Sequence, residues 1–576
     1  MKLIWYDCET SKDSTKRNGY NYMKAIHVFL TTCCCLGLGL AAGCSTAAPS
    51  QPAQPVAATQ KVDLPSQMPQ VPPNTATPSP TATATVPPTN TPTTRPRIQP
   101  GNPIPFIKGI AYPPGIVTDW GFPLSDQSLL ALRDTGAEWV SLVAYVNDTD
   151  DPEKSKEATI HAIEEAHRLG LNVLLRPKFQ KVEPPLGYHH ESGYTTEQWQ
   201  DWANRYQEYL VQYAELAEEH EVEMFAVGYE MRSSEPEEAH WRAIIQAVRE
   251  VYGGPLTYAG LPNEEADILW WDALDFIGVD GYYMLSQAAN PSVEELKNAW
   301  IPYLNRLEQL SLKYSKPVIF TEIGYPSTTT AAENPGNWMY GVIDLDLQAR
   351  LYQALFEAIE DKEWINGVFI WSWDETPFQG GPCDFEHTPK GKPAENVMRS
   401  FFGAPAVPLP GMDPNLPVFD DAKIATLELF NNAFYSGWDP NWSWNTRYSV
   451  VESPIDPDNS VIEVKISGNG GFKFPVDMYD TTPYQYFEFS LYREDDQSIP
   501  LRVMAEGMDG TVLINRQIRS CWYAEGGVVA DKTWTRILIP LSHLNIDGPF
   551  STITLGKWEE GDLTFWIDDV RLVGVE

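Results

Sequence analysis

The chain has 576 residues and a formal net charge of −37, with 43% hydrophobic and 12% aromatic residues. This composition supplies enough apolar side chains for large cores, which excludes a wholly disordered chain. The negative charge repels polyphosphates and anionic lipid, so nucleic acid is not an expected partner and a neutral ligand or polymer is favoured.

The first 44 residues resemble a bacterial lipoprotein signal region. Residues 24–44 begin with a lysine, continue through an uncharged apolar stretch and close on small residues before Cys44. Leu40-Ala41-Ala42-Gly43-Cys44 resembles a lipobox, which implies lipidation at Cys44 and an extracytoplasmic protein that faces outward and meets the membrane through this anchor only. Met23 is an alternative start that would give a normal short basic leader. An uncleaved membrane helix is the other interpretation, because Ala25 to Ala42 is barely long enough to span.

Residues 45–104 are predicted to be a disordered linker. They are rich in Pro and Thr and contain no Phe, Trp or Tyr, so nothing offsets the entropy of ordering them. Such a chain favours polyproline II at about 3 Å per residue and can hold a domain clear of the membrane. Beyond Cys44 the chain has only Cys383 and Cys521, and this pair predicts neither a disulfide framework nor a cysteine-based zinc site.

Residues 105–403 are predicted to form an α/β domain, a (β/α)8 TIM barrel. Short apolar runs alternate with amphipathic helical stretches, and eight such repeats have the rhythm of this fold. Two adjacent doubly wound sheets are the alternative. The aromatic stripe from Trp199 to Tyr213 is expected to pack a helix on the barrel. The predicted strands are Phe106–Tyr112, Trp139–Val146, Asn172–Pro177, Met224–Glu230, Leu256–Ala259, Phe276–Tyr282, Pro317–Glu322 and Val368–Trp373.

A Pro-rich linker, residues 404–416, is predicted to lead into an antiparallel β-sandwich, residues 417–576, that resembles carbohydrate-binding jelly rolls. Three closely spaced indoles, Trp438, Trp442 and Trp444, could stack on pyranose rings, and core packing is the rival interpretation. In such modules a structural calcium often uses carboxylates of the last strand, which makes Asp568 and Asp569 the candidates. We assign no metal to the chain and expect no cofactor.

Two of the predicted barrel strands end in a carboxylate, the fourth at Glu230 and the seventh at Glu322. The C-terminal ends of barrel strands meet at one mouth, and strands four and seven lie on roughly opposite sides of it. A pair of carboxyl groups facing each other over a cleft is what glycosidic bond cleavage requires, one protonated and one ionised. The alternative is that each glutamate is half of a structural ion pair.

The stretch from Phe106 to Gly403 resembles a clan A glycoside hydrolase, and most of all glycoside hydrolase family 113, whose known members are β-mannanases. The resemblance implies a retaining hydrolase of β-linked polysaccharide, with β-1,4-mannan as the first candidate, Glu230 as acid/base and Glu322 as nucleophile. Most clan members have Asn before the acid/base, whereas this chain has Tyr229, which leaves the exact sugar open. The matching segments are Lys108–Ile110, Phe225–Met231, Leu256–Ala259, Trp270–Tyr282, Lys316–Tyr325, Phe369–Trp373 and Gly391–Glu395.

Several neighbours of the two glutamates are predicted to support binding, Tyr229 among them. Tyr282, at the end of the sixth strand, is placed to donate its hydroxyl to the Glu322 carboxylate. Trp371 and Trp373 are two residues apart and therefore on the same side of the eighth strand, where at least one should lie under the reacting sugar and one could belong to the core. Further candidates at strand ends, for which ordinary loop hydrogen bonding is the alternative, are Lys178, Tyr112 and Asn147.

Two classes of function are open at this point. The first is a monomeric, tethered glycosidase acting on a polysaccharide or oligosaccharide, either β-mannan or another β-glycan such as glucan or xylan. The second is a non-catalytic glycan-binding surface lipoprotein that keeps the barrel as a platform. They differ at the carboxylates, because binding alone does not require a protonated glutamate opposite an ionised one.

Overall fold

The structure is a computed structural model that describes residues 98–115, 117–146, 152–179, 194–337, 341–420, 423–435, 443–494, 501–558 and 561–575. Cys44, the predicted signal region and residues 45–97 of the predicted linker lie outside these ranges. Within them, no helix has both the length and the apolar character needed to cross a bilayer.

Eight parallel strands close into a barrel in sequence order, and the eighth pairs with the first. This confirms the predicted fold, and seven of the eight predicted strands end within two residues of the observed ones. The eighth ends three residues earlier than predicted, at Ile370 instead of Trp373. The strands are β1 (Ile107–Tyr112), β2 (Trp139–Val146), β3 (Asn172–Phe179), β4 (Met224–Tyr229), β5 (Leu256–Gly260), β6 (Ile277–Asp280), β7 (Val318–Ile323) and β8 (Ile365–Ile370).

Among the described residues, seven α-helices surround the barrel, and their apolar faces pack on it. The longest, α3, begins at a capping box in which Thr195 and Gln198 exchange side-chain and backbone hydrogen bonds. Its stripe of Trp199, Trp202 and Tyr206 is buried, as expected for a helix packed on the barrel. The helices are α1 (Pro123–Arg133), α2 (Pro152–Leu169), α3 (Thr196–Glu219), α4 (Glu238–Val251), α5 (Val293–Tyr314), α6 (Leu345–Ile359) and α7 (Pro393–Phe402).

The alternation of side chains along each strand creates two cores. One set fills the barrel interior, and the other packs against the helices. Gly109 on β1 is required by this packing, since a Cβ there would overlap the Phe369 ring that occupies the interior. The interior residues include Ile107, Trp139, Leu174, Met224, Phe276, Ile319 and Phe369.

The C-terminal domain is a curled antiparallel sheet of ten strands, which fits the predicted β-sandwich. Strand β12 runs for 19 residues and pairs with β18 through its first half and with β17 through its second. One further short helix, α8 (Ser520–Tyr523), follows β15. The strands are β9 (Ile424–Asn431), β10 (Ala433–Phe434), β11 (Trp444–Glu452), β12 (Ser460–Met478), β13 (Tyr486–Tyr492), β14 (Arg502–Gly507), β15 (Val512–Gln517), β16 (Thr535–Pro540), β17 (Phe550–Lys557) and β18 (Asp562–Val575).

The sandwich is joined to the barrel covalently. Cys383, in the loop after β8, and Cys521, on α8, form a disulfide with their Cα atoms 5.8 Å apart. No disulfide framework was predicted from these two cysteines, and the single bridge between them is a restraint that the sequence did not lead us to expect. Their separation of 138 residues concealed the bridge, because only the docking of the two domains brings them together.

Candidate active site

Glu230 and Glu322 line one cleft at the mouth of the barrel. Glu230 directly follows β4, and Glu322 is the last residue but one of β7. Both side chains are half-buried and border the same cavity of about 90 Å³. The structure thus brings together the two carboxylates that the strand-end pattern singled out, and further residues of the cavity wall are Val143, Tyr145, Arg176, Lys178, Tyr229 and Trp371.

Two donors hold the Glu322 carboxylate, one on each oxygen. Arg176, on β3, donates from Nη2 to Oε1 at 2.8 Å, and the Tyr282 hydroxyl donates to Oε2 at 2.9 Å. The tyrosine contact is the one predicted from the sequence. Arg176 was not predicted. Its position within the apolar run Leu174–Pro177 was nevertheless a signal, because a charged side chain in a buried strand needs an oppositely charged or hydrogen-bonding partner. Together the donors fix the orientation of the carboxylate and stabilise negative charge on it.

A second carboxylate, Asp280 at the end of β6, lies behind this pair. Its Oδ1 accepts a hydrogen bond from Thr321 at 2.7 Å, and its Oδ2 lies 3.7 Å from Nη2 of Arg176. Burial, followed by the negative charge of Glu322, raises the pKa of Asp280 well above its ordinary value. Ionisation of Asp280 is therefore disfavoured. As a result, Asp280 competes less with Glu322 for the positive charge of Arg176.

The backbone turns sharply at Glu230, which has a φ of 42°. A residue with a Cβ in this left-handed region costs roughly 1–3 kcal/mol, so the surrounding contacts must impose the conformation. The Glu230 N–H donates to the Ala259 carbonyl at 2.7 Å, and the Met231 N–H donates to the Tyr258 hydroxyl at 2.8 Å. Two bonds to β5 thus hold the turn that places Glu230 at the cleft.

Behind this turn lies Glu235, which is 4% exposed. It accepts a hydrogen bond from the Tyr258 hydroxyl at 2.7 Å, so the same tyrosine links it to the turn after β4. Burial raises the pKa of Glu235 to about 7, although the bond from Tyr258 and the charge of Arg232 act to lower it.

Lys178 and Tyr229, both predicted to contact substrate, form one corner of the cleft. The Lys178 ammonium lies 4.2 Å from the centre of the Tyr229 ring and 5.4 Å from that of Tyr145. A cation held over aromatic faces keeps a defined position in the cleft. Tyr145, on β2, was not among the residues predicted to bind substrate. Its neighbour Asn147, which was predicted for this strand end, lies outside the described residues.

Trp371 and Trp373 have separate positions. Both follow the end of β8, so the prediction that they share one side of that strand is wrong. Trp371 is half-buried and borders the cleft, whereas Trp373 is 1% exposed and packs in the core around the barrel. Only Trp371 is available to a sugar.

Tyr112 does not reach the cleft, which corrects its predicted role. Its ring is fully buried and stacks on Trp120, and its hydroxyl donates to the Ser125 carbonyl on α1 at 2.9 Å. Ile107 and Gly109 face the interior of the barrel. Because side chains alternate along a strand, Tyr112 faces the surrounding helices instead.

In the sandwich, Trp444 is half-buried and stacks on Trp558, with ring centres 5.9 Å apart. Trp438 and Trp442 lie outside the described residues. Asp568 accepts a hydrogen bond from Asn459 at 2.7 Å, and Asp569 one from Asn431 at 3.3 Å. Within the described ranges, no three His, Cys, Asp or Glu side chains group as metal ligands would.

Residues 115–382 match the model of Glycoside Hydrolase Family 113. The chain is a glycosidase. This match covers β4 and β7 with their two glutamates, so the family match and the paired carboxylates fall on the same half of the chain.

Solved structures are similar over about half of the chain. A GH113 β-1,4-mannanase is 28% identical over 52% of this chain and 100% of its own, with a TM-score of 0.46. The GH113 β-mannanase AaManA from Alicyclobacillus acidocaldarius is 29% identical over 52% of this chain and 98% of its own, with a TM-score of 0.45. A Ruminococcus gnavus β-glucuronidase is 13% identical over 53% of this chain and 52% of its own, with a TM-score of 0.39. No curated protein matches the chain.

Proposed function

We propose that this glycosidase cleaves β-linked polysaccharide with retention of anomeric configuration, and that its first substrate is β-1,4-mannan. The observation that carries the mechanism is that Glu230 and Glu322 line one small cleft, in which Arg176 and Tyr282 each donate a hydrogen bond to one oxygen of Glu322. The substrate class rests on the match of residues 115–382 to the model of Glycoside Hydrolase Family 113.

In this mechanism Glu322 is the nucleophile and Glu230 the acid/base. Glu322 attacks the anomeric carbon while Glu230 gives its proton to the departing glycosidic oxygen, which leaves a covalent glycosyl-enzyme. Glu230, now ionised, takes a proton from water as the water attacks the same carbon and releases Glu322. The donors on Glu322 keep one oxygen lone pair of the carboxylate aimed at the sugar throughout.

The rest of the cleft binds the sugar. Trp371 presents an indole beside both glutamates, and the apolar face of a pyranose ring packs on such a surface. Tyr229 stands where most clan members have the asparagine that contacts the sugar 2-hydroxyl. Lys178, held over the Tyr229 ring, supplies a donor at this corner. We propose that these two residues read the 2-hydroxyl, the group that distinguishes mannose from glucose.

We also propose that the enzyme works outside the cytoplasm, anchored through a lipid on Cys44. A polymeric substrate must be met outside the cell. The Cys383–Cys521 disulfide supports this location, because such bonds persist in oxidising compartments and are rare in the cytosol. The linker of residues 45–104 would let the barrel reach a polymer beyond the membrane surface.

The experiment is a sugar-release assay on mannan, glucomannan, cellulose and xylan with wild type, Glu230→Gln and Glu322→Gln. The expected result is release from mannan or glucomannan and a loss of at least about 100-fold in each variant, since each removes one of the two groups that move the proton or form the bond. Glu223→Gln is the matched control, because Glu223 is a buried carboxylate at the opposite end of β4, bonded to the Val173 N–H.

Product sizes from the same digests distinguish endo from exo cleavage. Release from xylan or cellulose but not from mannan would overturn the substrate assignment. Activity retained in both glutamine variants would overturn the catalytic assignment, and equal loss in Glu223→Gln would attribute the effect to folding.

A further inference from the structure

A second and larger cavity adjoins the cleft. It has a volume of about 310 Å³ and shares two of its walls, Tyr145 and Trp371, with the cavity that holds the two glutamates. Loops of the barrel form one side of it. The C-terminal domain forms the other side, through Arg502, Arg516, Gln517 and Arg519 at one edge of the β14–β15 hairpin. A ligand that extends from the cleft past Trp371 therefore meets the sandwich.

The sandwich wall is held rigidly against the barrel. Arg516 forms ion pairs with Asp119, at 2.7 Å, and with Glu375. Gly115 makes this approach possible, because a Cβ at this position would overlap the Arg516 guanidinium. The geometry of the wall is thus set before any ligand arrives, which lowers the entropic cost of binding.

A second set of contacts fixes the neighbouring end of the wall. Arg519 is bonded to Glu386 at 2.7 Å and to Asp384 at 3.0 Å. The Cys383–Cys521 disulfide is close to these pairs in sequence, since Cys383 precedes Asp384 on the barrel and Cys521 closely follows Arg519 on the sandwich. Ion pairs and disulfide together make the hairpin edge part of the barrel mouth.

The chemistry of the lining indicates the class of ligand. Carboxylate and guanidinium groups are present in equal number, so the cavity favours neither an anion nor a cation. Gln517 is only 8% exposed, and its Oε1 is buried without a hydrogen-bond partner among the described residues. An unpartnered acceptor requires a donor, which a hydroxyl supplies and a carboxylate or phosphate does not. The three carboxylates and three guanidinium groups that line the cavity belong to Asp374, Glu375, Glu386, Arg502, Arg516 and Arg519.

We propose that this cavity is a sugar subsite built jointly by the barrel and the sandwich, and that it binds an uncharged pyranose unit of the glycan beyond the units at the two glutamates. A volume of about 310 Å³ lies within the range of small-ligand sites, ~300–1,000 Å³. Gln517 accepts from a sugar hydroxyl, and Arg502 donates to another. The inference rests on the proposed function, since it takes the glycan in the cleft as its starting point.

The test compares chain lengths. Gln517→Met and Arg502→Met remove polar groups from the sandwich wall with little change in volume, and Arg447→Met, on the exposed face of β11, is the matched control. Substrates are an aryl β-mannoside and β-1,4-mannooligosaccharides of increasing length. The expected result is a loss of about tenfold in kcat/KM on the longest chains for both cavity variants. Efficiency on the shortest cleaved substrate and in Arg447→Met is expected to stay at the wild-type value.

Each other outcome overturns the inference in a recognisable way. Cavity variants that match wild type on every chain length would remove the subsite and leave the proposed function intact. An equal loss on the shortest and longest substrates would identify a general effect on the fold. A wild-type enzyme without activity on any β-linked glycan would overturn the proposed function, and the subsite with it.

Discussion

Replacement of Arg176 by Met removes the cation that faces two carboxylates. Arg176 is 3% exposed, and its guanidinium lies 2.8 Å from Glu322 and 3.7 Å from Asp280. With an effective dielectric constant of about 20, the shorter separation corresponds to a gross attraction of ~6 kcal/mol. Desolvation of the buried charges offsets part of it, so we expect the free energy of unfolding to fall by about 3–5 kcal/mol at pH 7.

The same substitution should change the pH dependence of catalysis. Ionisation of Asp280 is already disfavoured beside Glu322, and without the guanidinium negative charge in this pair becomes less favourable still. We expect the acidic limb of the kcat/KM profile to move upward by about 1–3 pH units, which makes the loss of activity larger at pH 6 than at pH 8. The loss of stability should shrink as the pH falls, because protonation removes the uncompensated charge.

The assays are initial rates on mannooligosaccharide and thermal unfolding, both from pH 5 to 9. Arg249→Met is the matched control, since Arg249 pairs with Asp275 at 2.5 Å at the opposite end of the barrel. It should lower stability and leave the shape of the pH profile unchanged. An Arg176→Met enzyme with the wild-type pH profile and kcat/KM within about threefold of wild type would refute the role given to Arg176.

Three further changes have defined outcomes. Tyr282→Phe removes a donor to the charged Glu322, so kcat/KM should fall by about 10- to 150-fold, and a smaller effect would deny the contact a catalytic role. Burial raises the pKa of Glu235 from 4.5 to about 7, so its ionisation costs about 3 kcal/mol of stability, accumulated as pH rises through that window. Glu235→Gln should flatten this decline in a melting-temperature series from pH 4 to 8, and parallel curves would contradict it. Cys383→Ser with Cys521→Ser should lower the free energy of unfolding by about 2–4 kcal/mol in urea titrations, and an unchanged midpoint would show that the bridge contributes nothing.

The barrel was predictable because its information is local. Eight short apolar runs alternate with amphipathic helical stretches, and a closed ring of parallel strands is the fold that satisfies this repeat. The eighth strand shows the limit. Apolar residues continue to Trp371 and Trp373, so the sequence pattern extends beyond Ile370, where strand β8 ends. Hydrophobicity alone cannot separate a strand from a buried loop.

The site was predictable only in part, for related reasons. A carboxylate at a strand end is visible in the sequence, and Glu230 and Glu322 were found in this way. Arg176 lies inside a strand, and its partner Glu322 is 146 residues away, so no local pattern joins them. Tyr112 was misassigned because the position of a strand end was used without the alternation that decides which side the last residue faces.

The union of the two domains could not be predicted from the sequence. For the tryptophans of the sandwich, sugar stacking and core packing were the two alternatives, and neither placed the β14–β15 hairpin beside the cleft of Glu230 and Glu322, where the structure has it. Ion pairs such as Arg516 with Asp119 join residues 397 positions apart. Such contacts depend on the shapes of two completed domains, which no residue spacing encodes.

The most direct test of the account is to identify the residue that becomes glycosylated. A 2-deoxy-2-fluoro-β-mannosyl fluoride should form the glycosyl-enzyme quickly and release it slowly, because the electronegative fluorine destabilises both oxocarbenium-like transition states while the good leaving group speeds the first step. Peptide mapping by mass spectrometry should then find the added sugar on Glu322 and none on a Glu322→Gln enzyme. A label on another residue, or an unlabelled enzyme whose natural substrate yields a product of inverted configuration, would contradict the assignment of Glu322 as the nucleophile.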